Sequence, residues 1–138
     1  MKNRFIPIAV LTAFLFALVG CTKEIDPDHL VGISFTNQTS HEVTAVLRGR
    51  NLFSSTVAVV IPAKSASTVP CVDNFMLDSC TFVFEDGKTV SYTDKSDGSP
   101  LNPVWFGGYE MVERTDPKSE YECLFCFTIV EDHYTSAR

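Results

Sequence analysis

From Leu30 onward, apolar residues return at every second position rather than every third or fourth, and this period limits the fold more than any other feature. Val31, Ile33 and Phe35 alternate with Gly32, Ser34 and Thr36, as a strand with one buried face requires. After the turn cluster Asn37-Gln38-Thr39-Ser40, the pattern resumes with Val43, Ala45 and Leu47, so the two segments read as an antiparallel hairpin. Residues 56–61 are apolar on both faces, which suits a central strand covered on both sides. Pro62 ends that strand by withholding a ladder donor, and residues 66–69 read as a short fourth strand stopped by Pro70. Over residues 71–79, a loop and a single helical turn are equal readings.

The sharpest local signal surrounds Glu85-Asp86-Gly87. A two-residue Asp-Gly loop would set Phe82 opposite Ser91 and mix both faces. A three-residue loop with Gly87 in the left-handed region instead pairs Phe84 with Lys88, Phe82 with Val90, and Cys80 with Tyr92. That register gathers Cys80, Phe82, Phe84, Val90 and Tyr92 on one face, and a slip of one residue would exchange the faces. The segregated register is therefore expected.

Residues 94–103 are rich in turn signals, and the aromatic group Trp105, Phe106 and Tyr109 follows, broken by Gly107-Gly108. A strand starts near Tyr109, and the longest one spans residues 120–130 with Tyr121, Cys123, Phe125, Phe127 and Ile129 on one face. Residues 131–134 read as a final helical turn. Seven to eight short strands with no amphipathic helix between them indicate an all-β fold, an antiparallel β-sandwich. Immunoglobulin-like and transthyretin-like strand orders are both compatible, although the Cys-Trp-Cys spacing of antibody domains is missing.

Before Leu30 the chain has another character. Lys2 and Arg4 precede an apolar run over residues 5–20, which at 16 residues is short of the roughly 20 needed to span a membrane. Its end, Leu18-Val19-Gly20-Cys21, resembles the lipobox of bacterial lipoproteins. The resemblance implies a signal peptide over residues 1–20, cleavage between Gly20 and Cys21, and lipid on the Cys21 sulfur. Residues 21–29 are polar, with Pro27 between Asp26 and Asp28, and read as a flexible tether to a single β-sandwich domain over residues 30–138. Of 138 residues, 118 would remain after cleavage, the size of one domain. Without Lys2 and Arg4, 9 basic residues face 17 acidic ones, a net charge of −8. Such a surface repels phosphate backbones and anionic lipid, so no nucleic-acid partner is expected and membrane attachment falls to the acyl chains. Each buried methylene contributes about 0.8 kcal/mol, and two or more chains anchor stably.

Several motifs together resemble small lipoproteins of Bacteroidota. They are the strand ending in Asn-x-Thr (residues 35–40), Ile-Pro with serines (61–67), Phe-x-Asp-Gly-Lys (84–88), Asn102-Pro103, and the last strand ending at Glu131-Asp132-His133-Tyr134. Thr22-Lys23-Glu24-Ile25-Asp26 is similar to the surface-export signal of that group, with Ile25 interrupting the acidic run. The resemblance implies an outer-membrane lipoprotein, surface-exposed, with no catalytic residue to transfer. It departs at Cys123 and Cys126, where aromatic or polar residues are usual.

Chemistry-bearing constellations are sparse. With Cys21 assigned to lipid, Cys71, Cys80, Cys123 and Cys126 remain for the fold. Cys71 and Cys80 flank the irregular stretch and either close it as a disulfide or serve as small apolar thiols. Cys123 and Cys126 are three residues apart on a strand, about 10 Å, too far for a bridge. His29, His41 and His133 lack ligand spacing and read as surface residues, so no metal and no cofactor is expected. Trp105, Phe106 and Tyr109 either cap the core or offer aromatic faces to a glycan. The leading expectation is a non-enzymatic interaction or accessory module in an outer-membrane complex, and the alternative is a glycan-binding module using the aromatic loop.

Overall fold

The computed structural model describes residues 30–113, 115–116 and 118–138; the expected signal peptide, Cys21, the tether and His29 lie outside the described residues. Among the described residues, seven strands, β1 (Leu30–Asn37), β2 (Val43–Leu52), β3 (Thr56–Ile61), β4 (Ala66–Phe84), β5 (Thr89–Tyr92), β6 (Glu110–Glu113) and β7 (Cys123–Ile129), join in one curled sheet. A 3-10 turn at Phe106–Gly108 precedes β6, and a short helix, α1 (Glu131–Ser136), ends the chain. The class is all-β, as the period-two pattern requires. The sheet order is β3-β2-β4-β1-β7-β6, with β5 added to the far end of β4.

Pairing is mixed, because β1 runs antiparallel to β4 and parallel to β7. The sheet therefore departs from a purely antiparallel sandwich. The expected β1–β2 hairpin is not formed: β4 lies between the two strands and pairs with both. Expected as a short strand and an ambiguous segment, β4 is one element of 19 residues. It pairs with β1 over residues 66–72, with β2 over residues 71–84, and with β5 over residues 80–83. The loop-like composition marks a bulge, since Arg50 pairs with Met76 and Leu52 with Cys71 while Val72 still pairs with Leu30, leaving residues 73–75 without a strand partner. Asn74 takes a φ of 67° there, and Asn51 Nδ2 donates to its carbonyl at 3.0 Å.

β3 is not the central strand its composition suggests. It is an edge, with Val57, Val59 and Ile61 against the core and Val60 51% exposed. The β4–β5 hairpin has the expected register: Cys80 faces Tyr92, Phe82 faces Val90, and Phe84 N–H donates to the Lys88 carbonyl at 2.8 Å. Gly87 has a φ of 90°, a conformation only glycine adopts without strain.

The core lies inside the curl. Phe35 from β1, Phe82 from β4 and Phe127 from β7 are buried with ring centroids 6.1 to 6.2 Å apart. Each edge-on pair adds about 1 kcal/mol beyond the burial itself. Ile33, Val43, Leu47, Ile61, Leu77 and Ile129 complete it.

Candidate functional site

The segment expected to carry binding, residues 94–109, is shaped by one buried side chain. Asn102 Nδ2 donates to the carbonyls of Asp94 (2.7 Å) and Asp97 (2.8 Å), and its Oδ1 accepts from the Val104 N–H at 3.0 Å. These bonds satisfy backbone groups that a buried loop would otherwise leave unpaired. Three rings then leave the loop in different directions. Tyr109 turns inward against Phe127, with its hydroxyl donating to the Pro103 carbonyl at 2.6 Å. Phe106 lies edge-on to Phe75 and stacks over Phe125, with 41% of its surface exposed. The half-buried Trp105 indole lies across Gly98 and Gly107. A Cβ at Gly107 would come within 2.4 Å of it, so only glycine admits this packing. The three rings thus do not form one stacking platform.

Beside the loop lies a cleft of about 430 Å³, lined by Pro100, Leu101 and Gly108 from the loop, Glu110 from β6, Cys126 from β7 and Asp132 from α1. Burial raises the Cys126 thiol pKa, and neighbouring Glu110 raises it further, so this thiol stays protonated and weakly nucleophilic. Asp132 and Glu110 are exposed carboxylates in ordinary solvent.

His133 lies behind this cleft and is fully buried, contrary to the surface position expected for it. The Val130 N–H can only donate, so Nδ1 accepts from it at 2.9 Å; the Leu101 carbonyl can only accept, so Nε2 carries the proton at 2.9 Å. The geometry fixes the neutral tautomer. Burial among Phe82, Tyr92 and Phe127 holds its pKa below the ordinary 6.5. Both nitrogens are used by the backbone, and the ring acts as a joint between α1 and the loop. The polar sequence around it gives no sign of this burial. His41 is half-buried, stacks on Tyr134 at 4.0 Å and reaches Glu85 at 3.3 Å.

Cys71 and Cys80 are buried thiols, not a disulfide. Their partners on β2 are Leu52 and Leu47, five residues apart and so separated by about 17 Å of strand, beyond the roughly 7 Å a bridge spans. Burial pushes the Cys71 pKa up to about 12 and raises that of Cys80 as well. Cys123 and Cys126 are thiols on β7, half-buried. Among the described residues, no three His, Cys, Asp or Glu side chains stand close enough to hold a metal ion, and no helix is long and apolar enough to cross a membrane. Every buried side-chain nitrogen and oxygen among them has a hydrogen-bond partner.

No family model, curated protein or solved structure matches the chain. Fold and site define a small all-β domain with a mixed sheet, a shallow cleft beside the 94–109 loop, and described buried polar groups engaged in holding loops.

Proposed function

We propose that the chain is a lipoprotein of the cell envelope, held at the outer membrane and surface-exposed through lipid on Cys21, whose domain is a non-enzymatic interaction or accessory module. One observation carries this reading: Leu18-Val19-Gly20-Cys21 closes an apolar run too short to span a bilayer. The use of the chemically capable groups supports the second half. His133 is locked as a neutral backbone clamp, Cys71 and Cys80 are buried with raised pKa values, and Asn37 and Asn102 organise turns. The motifs that resemble Bacteroidota lipoproteins coincide with these joints, so they select a fold rather than a reaction. The test is metabolic labelling with an alkyne fatty acid followed by fractionation. The parent chain is expected to carry label and pellet with membranes, whereas Cys21→Ala carries none and moves to the soluble fraction. A Cys21→Ala chain that still labels and pellets would overturn the proposal.

A further inference from the structure

Residues 130–138 close over one corner of the sheet and are held there along their length. At the far end, Thr89 and Arg138 exchange backbone hydrogen bonds at 3.1 and 3.0 Å, so Arg138 covers the outer edge of β5. In the middle, Tyr134 lies edge-on to Phe84, stacks on His41 and donates its hydroxyl to Asp86 Oδ2 at 2.6 Å. Ala137 is buried as well. At the near end stands His133, sunk among Phe82, Tyr92 and Phe127.

His133 is the third residue of α1, the place from which Glu or Gln commonly reaches back to the N–H of the capping residue. Here a neutral imidazole does so, with Nδ1 accepting from the Val130 N–H at 2.9 Å. α1 has six residues, too few to persist on its own hydrogen bonds, and Val130 supplies no side-chain cap. A protonated ring cannot accept. The Val130 carbonyl lies 3.3 Å from Nδ1 but already receives the His133 N–H at 3.0 Å. A charged ring would therefore exchange a short bond for a longer, shared one and set N–H against N–H. The Nε2 bond to Leu101 survives, because Nε2 donates in both states. Acid thus acts on the start of α1 and spares the loop.

We infer that His133 is an acid-released catch, whose protonation frees residues 130–138 and uncovers the edge of β5 while the rest of the sheet stays folded. The other ionisable groups around the segment do not release it. Glu131 and Asp132 are exposed, and Asp132 favours a charged ring without offsetting the burial. Tyr92, with its pKa pushed up to about 12, and the buried Cys80 thiol stay neutral. The Tyr134 hydroxyl and the Lys88 N–H hold Asp86 below the usual carboxylate range, so its bond to Tyr134 outlasts mild acid. Lys88 stands over the Tyr134 ring at 4.8 Å. A positive charge on His41 would face Glu85 at 3.3 Å and tighten the corner. Opening returns His133 to an ordinary pKa of 6.5, so the open fraction rises by up to about tenfold per pH unit below that value. At pH 5 the ceiling is about thirtyfold.

Hydrogen exchange on the purified full chain, corrected for the intrinsic effect of pH, reads the release. Between pH 7.5 and pH 5, protection at Thr89, Ala137 and Arg138 is expected to fall about tenfold or more. Protection at Ile33 and Ala45, in the strand centres, is expected to change less than about threefold. His133→Gln keeps an acceptor for the Val130 N–H and does not titrate, so it should hold its protection at both pH values. Circular dichroism at pH 7.5 checks that variant's fold, and His41→Gln should respond to acid as the parent does. The nitrogen-15 signals of the parent His133 ring give a test that needs no variant: their titration should share its midpoint with the loss of protection. An equal loss at Ile33 and Ala45, no loss at Thr89, the same loss in folded His133→Gln, a response abolished by His41→Gln, or a separate midpoint would each overturn the inference.

Discussion

Asn37 carries five hydrogen bonds without any exposed surface. Its Nδ2 donates one proton to the His41 carbonyl (2.7 Å) and shares the other between the carbonyls of Ile61 (3.2 Å) and Pro62 (3.3 Å), and its Oδ1 accepts from the Thr39 N–H (3.0 Å) and hydroxyl (2.8 Å). One side chain thereby ties the end of β1 to the β1–β2 turn and to the β3–β4 turn. Asn37→Ala would leave buried carbonyls unpaired, and the expected cost is about 2–4 kcal/mol, read as a lower urea midpoint at an unchanged slope. Asn37→Asp keeps the size but aims a carboxylate at three carbonyl oxygens, so it should cost at least as much. A loss below about 0.5 kcal/mol for either would show that the network adds little. The sequence marks Asn37-Gln38-Thr39 as a turn, which it is. It cannot show that the turn is buried, because that depends on strands 24 residues away in the chain.

At the scale of elements, legibility follows the range of the interactions that set each one. The β4–β5 hairpin is readable because a single three-residue loop and the face segregation of Cys80, Phe82 and Phe84 fix its register. The partners of β1 are not readable, because β2 follows it in sequence while β4 and β7 flank it in space. β3 looks central for a related reason: Ala58 and Val60 are apolar yet face solvent on an edge. α1 is the element whose position depends on a titration. Acidic Glu131 and Asp132 in its first turn favour it, and His133 closes that turn onto Val130 and the loop at Leu101. Protonating His133 would put a donor on Nδ1 against the Val130 N–H. The folded-state pKa is lowered, so the unfolded chain binds the proton more readily. Stability from this group is complete above about pH 6.5 and is lost as pH falls below that value. Between pH 7.5 and pH 5 the melting temperature of the parent chain should fall more than that of His133→Asn, which starts lower. Parallel pH profiles for the two proteins would refute the assignment.

For the whole molecule, the parallel β1–β7 pair sets how the chain holds together. It joins residues 31–37 to residues 123–129, so the first and last of the described strands are neighbours and neither half of the sheet can bury its core alone. Phe35, Phe82 and Phe127 meet at that seam, each from a different part of the chain. Contacts at this sequence separation make folding slow but bind distant segments into one cooperative unit. Trp105, the only tryptophan, reports on the loop before β6, while far-UV circular dichroism reports on every strand. If the sheet is one unit, the two probes should trace a single coincident urea transition. Phe127→Ala removes a buried ring from the seam and should shift both midpoints together, at a cost of about 3–5 kcal/mol. Were β2, β3, β4 and β5 a separable sheet, the same substitution would release the Trp105 loop at low urea and leave much of the circular dichroism signal until later. The shared Phe82, which belongs to β4 yet packs against Phe127 and His133, argues for the single transition.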